Sequence, residues 1–105
     1  YNVTVYEKNE MIGGLLRFGI PNFKLNKTII DRRVSLMEKE GVKFVTGTTI
    51  NTQKLPVGFH AYAICTGTPQ ARDLNIDGRE LNGIHLALDY LLQQNRILAG
   101  MEIMI

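Results

Sequence analysis

The 105 residues carry 12 basic and 10 acidic side chains, interleaved to a formal charge of +2. No basic block tracks a phosphate backbone, which leaves nucleic-acid binding without support. Hydrophobic residues at 45% and charged residues at 21% fit a globular domain with a modest core and argue against disorder, and no apolar run reaches the roughly 18 residues of a membrane span.

The first element is a short β-prone run, Val3 to Tyr6, read as a parallel strand. Glu7 follows at its carboxyl end, where an acid in an open α/β sheet can hydrogen-bond the ribose hydroxyls of a dinucleotide. From Lys8 to Leu25 the order of glycine, asparagine and proline predicts a loop, with Ile20 extended ahead of Pro21. A loop this long is usually functional or disordered, and this one reads as functional.

Asn26 is a natural N-cap and Gly41 a natural C′ stop, which predicts a helix between them. Ile30, Val34 and Met37 recur at helical spacing, widened by Ile29 and Leu36, while Asp31, Arg32, Glu38 and Lys39 sit mostly off the stripe. Val42 to Val45 is the next strand. Strand, helix and strand at this spacing form a βαβ unit and require a parallel pair.

Asn51 to His60 is a polar connector. Ala61 to Cys65 reads as a buried parallel strand that delivers the Thr66-Gly67-Thr68 turn to the sheet's carboxyl end, where ligands of open α/β sheets collect. Cys65, the single cysteine, is expected to be buried and inert, because it lies inside an apolar run with no second Cys or nearby His to make it a catalytic or ligating thiolate. One unpaired cysteine suits a reducing cytoplasm. His60 and His85 lack metal-ligand spacing, so no metal site is expected. Asp73 to Gly83 is turn-rich, and a last helix starts near Leu86 with Leu88, Leu91, Leu92 and Leu98 as its core face and Gly100 as its cap.

The stretch EKNEMIGGLLRFGIPNFKL, from Glu7 to Leu25, resembles the FAD domain of the small (beta) subunit of NADPH-dependent glutamate synthase. The likeness extends to the flavin domain of dihydropyrimidine dehydrogenase and, more distantly, to adrenodoxin reductase. It continues through Asp31 to Arg33, Glu40 to Phe44, Thr66 to Thr68 and Gly78 to Arg96.

The resemblance implies an α/β fold, a partial Rossmann-like FAD-binding domain over residues 1–100, with 101–105 starting a linker or strand toward an NADPH domain. The parallel sheet is expected to lack the first βα unit, whose glycine turn and helix N-terminus receive the pyrophosphate. The cofactor residues it implies are Glu7 on the ribose, Gly13, Gly14 and Leu15 beside the flavin, Arg17 and Lys24 as positive charge in the same loop, Ile50 near the adenine, and Thr66 with Gly67 closing the site. Asn51 stands where a glycine is common in the family, so the resemblance does not fix the backbone path beyond Ile50.

No residue reads as a catalytic nucleophile or proton-transfer group; the flavin carries the chemistry. The resemblance implies a parent enzyme in which NADPH reduces FAD, electrons pass to iron-sulfur clusters, and a large subunit forms glutamate. NADPH and the clusters are expected to bind parts outside this chain. The isolated chain is expected to be inactive and to self-associate through the sheet edges left open. The alternatives are a related flavoprotein, such as a pyrimidine or ferredoxin-linked reductase, and a non-catalytic piece that binds no cofactor.

Overall fold

The computed structural model describes residues 1–100. Its elements are β1 (Thr4–Tyr6), α1 (Gly14–Phe18), α2 (Lys27–Lys39), β2 (Lys43–Val45) and α3 (Ala87–Leu98). β1 and β2 pair in parallel, with Thr4, Val5 and Tyr6 opposite Lys43, Phe44 and Val45. The pair is the α/β unit expected from the sequence, and α2 fills the crossover between its strands.

Helix α2 begins where its cap dictates: the Asn26 side chain accepts from the Thr28 N–H at 3.0 Å. It ends at Glu40, and Gly41 follows with φ 96°, the left-handed conformation that a C′ glycine adopts without a Cβ penalty. Ile30 is buried on its inner face, Val34 and Met37 are half-buried, and Ile29 and Leu36 stay exposed.

Between β1 and α2 the expected unbroken loop contains a helical turn, α1, which packs against both α2 and α3. Phe18 of α1 and Ile30 of α2 are the buried apolar core. On α3, Leu88, Leu91 and Leu92 are half-buried as expected. Leu98 is 58% exposed, and the buried residue of that face is Asn95, at 5%. The face closes on a polar group because Asn95, one turn past Leu91, reaches the backbone of α1.

The expected strand at Ala61 to Cys65 does not form. Residues 61–70 are irregular and exposed throughout, and Cys65 is exposed rather than buried. Small side chains bury little area each, so such a run becomes a strand only when ladder partners take its N–H and C=O groups. Among the described residues β2 is the only partner of β1, and the run pairs with neither open edge of this two-stranded sheet.

The connector before it is better held. Phe59 stacks edge-on against Tyr6 and Tyr62, with centroids 6.3 and 6.0 Å apart, and the Tyr62 hydroxyl donates to the Pro56 carbonyl at 2.5 Å. The radius of gyration, 16.7 Å, exceeds the roughly 13 Å of a compact domain of this length, because the stretch from 61 to 86 adds extent without adding core. The expected linker or strand at 101–105 lies outside the described residues. No helix among the described residues is long and apolar enough to cross a membrane.

Candidate functional site

The carboxyl ends of β1 and β2 are knitted together beyond the strands themselves. The Glu7 N–H donates to the Val45 carbonyl at 2.9 Å, the Thr48 N–H to the Glu7 carbonyl at 2.9 Å, and the Gly47 N–H to the Asn9 carbonyl at 2.8 Å. These bonds fix the half-buried Glu7 at the corner where both strands end. Its Oε1 accepts from the Asn9 N–H at 2.9 Å and from Asn9 Nδ2 at 2.8 Å. Asn9 thus orients the carboxylate, and Oε2 has no hydrogen-bond partner among the described residues.

The glycine pair divides its work. A Cβ on Gly13 would sit 3.0 Å from Arg17 Cβ and 3.2 Å from Ile30 Cγ2, so this position is bare because α1 and α2 pack over it. A Cβ on Gly14 would meet nothing within 4 Å. Gly14 stands at φ 49° and presents uncovered backbone to open space, with the exposed Leu15 beside it.

Arg17 does not stand out into the loop as a free base. It is 8% exposed, its Nε donates to the Ile12 carbonyl at 2.6 Å, and its Nη2 pairs with Asp31 Oδ1 at 2.6 Å. Lys24 is exposed, in a turn closed by its N–H on the Pro21 carbonyl at 3.0 Å. Ile50 is half-buried a few residues beyond β2, whereas Thr66 and Gly67 are exposed and no described strand carries them. The structure therefore groups Glu7 with the exit of β2, and Gly14, Leu15 and Arg17 on α1 with Gly13 as its N-cap.

Two side chains that sequence reasoning passed over hold α1 in place. Lys27, the first residue of α2, donates through Nζ to the Leu16 carbonyl at 2.9 Å and to the Ile20 carbonyl. Burial, and next the charge of Arg17, lower its pKa from 10.5. Asn95 Nδ2 donates to the Phe18 carbonyl at 3.0 Å and to the Leu91 carbonyl at 2.8 Å. Both carried a signal: a cation at a helix N-terminus opposes the helix dipole, and an asparagine interrupts the apolar face of α3.

A groove of about 310 Å³ runs between the loop after β1, α2 and β2. Glu10, Asp31 and Glu38 line it against the single base Arg17. That balance of charge is unsuited to a pyrophosphate. Among the described residues no cluster of His, Cys, Asp or Glu could hold a metal ion.

Fold and site together define a small α/β segment built on a parallel strand pair, with an oriented acid at its carboxyl edge and an uncovered glycine turn beside it. No family model matches the chain. It is 46% identical over 95 residues to the glutamate synthase [NADPH] small chain of Bacillus subtilis, covering 87% of this chain and 19% of that protein. It is 41% identical over 108 aligned positions to the small chain of Mycobacterium tuberculosis, covering 99% of this chain and 22% of that protein. Glutamate synthase [NADH] of Saccharomyces cerevisiae is 40% identical over 107 positions, 98% of this chain and 5% of that protein. The chain is homologous to a segment of the glutamate synthase small chain, and it spans about a fifth of the length of the small chains it matches.

Proposed function

We propose that this chain is the part of an NADPH-dependent, glutamate synthase-type flavin oxidoreductase that lies along FAD within a Rossmann-like domain. The observation that carries the reading is the 46% identity to a glutamate synthase small chain across 95 residues. The Glu7 corner and the Gly14 turn fit the cofactor: Glu7 has a free, oriented carboxylate oxygen for a ribose hydroxyl, and Gly14 leaves the space that a Cβ would fill. FAD, when bound, supplies the hydride and single-electron chemistry.

The chain's own residues bind and orient. Glu7 accepts from the ribose, Gly13 to Leu15 lie along the ring system, and Ile50 packs toward the adenine. Lys24 contributes positive charge. Arg17 is spent on Asp31 and Ile12, so its part is to hold α1. Thr66 and Gly67 close the site in the parent. NADPH and the iron-sulfur clusters belong to other parts of that cytoplasmic enzyme, which works with a large subunit.

The test is Glu7→Ala in the full-length parent. It should weaken FAD binding by about 1.5–3 kcal/mol, the range for a hydrogen bond to a charged group, with little change in folding. FAD dissociation followed by flavin fluorescence reads the constant, and an unaltered value removes Glu7 from the site. Light scattering on the 105-residue chain checks self-association, which a monodisperse monomer would exclude.

A further inference from the structure

Helix α1 has five residues, far below the roughly 12–15 at which an isolated helix becomes even marginal in water. Its N-cap, Gly13, offers no side-chain bond. What holds it comes from elsewhere in the fold: Lys27 of α2 takes the Leu16 and Ile20 carbonyls, and Asn95 of α3 takes the Phe18 carbonyl. Phe18 and Asn95 are 77 residues apart in sequence.

Neither residue is what packing alone would select. Lys27 sets a cation on the first turn of α2, against its dipole and near Arg17. Asn95 occupies a place on α3 whose neighbours are leucines, and its Oδ1 is buried with no hydrogen-bond partner. An unmade bond of this kind is costly. Turning the amide over would not relieve it, because Oδ1 would then face the carbonyls of both Phe18 and Leu91. The donor side of the amide is the side in use, and it is used to fix α1.

We propose that Lys27 and Asn95 are positioning residues that set the Gly13–Leu15 turn against the cofactor by holding the carboxyl end of α1 from two different helices. The proposal rests on the flavin reading above. It makes the exposed backbone of Gly14 a surface of defined place, with α2 and α3 as its supports.

The experiment uses Lys27→Met, Lys27→Arg and Asn95→Leu. In the 105-residue chain, hydrogen exchange at the Gly19 and Ile20 amides, both bonded to the Leu15 carbonyl, should quicken about tenfold in Lys27→Met and Asn95→Leu. The Glu40 amide at the end of α2 should hold its rate. In the full-length parent the same two variants should shift the flavin absorption band and raise the FAD dissociation constant about tenfold, with Lys27→Arg recovering part of the loss. Unchanged exchange, or faster exchange with an unchanged flavin band and FAD constant, overturns the proposal.

Gly14→Val in the parent separates this failure from that of the flavin reading. Gly41→Val is its control, being equally open and also at positive φ. If Gly14→Val retains FAD as well as the control does, the turn does not face the cofactor and both ideas fall. If it loses FAD while Lys27→Met and Asn95→Leu do not, the positioning role alone falls.

Discussion

Residues 1–50 and residues 51–86 have similar apolar character but different fates. In the first region every element has a partner: β1 lies on β2, α1 on α2 and α3, and the strand exits are cross-bonded from Glu7 to Thr48. In the second, the Tyr6, Phe59 and Tyr62 stack, the Asp73–Arg79 ion pair at 2.6 Å and a few local hydrogen bonds hold the chain, and residues 61–70 are exposed throughout. The contrast shows that an apolar run earns a regular structure only when another element supplies both hydrogen bonds and cover.

The largest expected effect comes from the core of the first region. Phe18→Ala, at a residue 4% exposed, should cost about 3–5 kcal/mol of stability in urea unfolding. Ile64→Ala, at a residue 67% exposed, should stay within about 0.5 kcal/mol. Equal losses at the two sites would erase the distinction between the regions.

Asp31→Ala tests the ion pair beneath α1. Arg17 is buried while the Asp31 side chain is 57% exposed, so solvent screens part of the loss. A cost of about 1–3 kcal/mol is expected, mostly from an Arg17 donor left without its acceptor. An unchanged urea midpoint would mean that water satisfies Arg17 as well as the carboxylate does.

Cys65 gives a chemical test of the second region. Because it is exposed, a thiol reagent should label the native chain nearly as fast as the denatured one, and Cys65→Ser should leave stability within about 0.5 kcal/mol. Strong protection in the native chain would restore the buried strand.

The smallest effect is on acid sensitivity. The Arg79 hydrogen bond and next the Leu74 N–H hold the Asp73 carboxyl below its usual 3.8. A lowered folded value makes this contribution present above the ordinary carboxylate range and lost as pH falls through the lowered value. The Asp73 side chain is 55% exposed, so salt should weaken the effect. An NMR titration of Asp73 that followed a free peptide would remove the pair from solution.

The sequence by itself determined the elements whose causes are local. Asn26 and Gly41 bound α2, β-branched and aromatic residues mark β1 and β2, and the leucine spacing places α3, because caps, left-handed glycines and side-chain periodicity act within a few residues. It also marked Glu7 and the glycine pair. Only the tertiary structure decided that Gly13 yields to α2 while Gly14 faces open space, that Arg17 turns inward to Asp31, that Lys27 and Asn95 hold α1, and that Ala61 to Cys65 finds no sheet. Each of those outcomes depends on which groups meet across distant stretches of chain, where one carbonyl or one ladder edge satisfies or strands its partner, and no local pattern encodes that meeting.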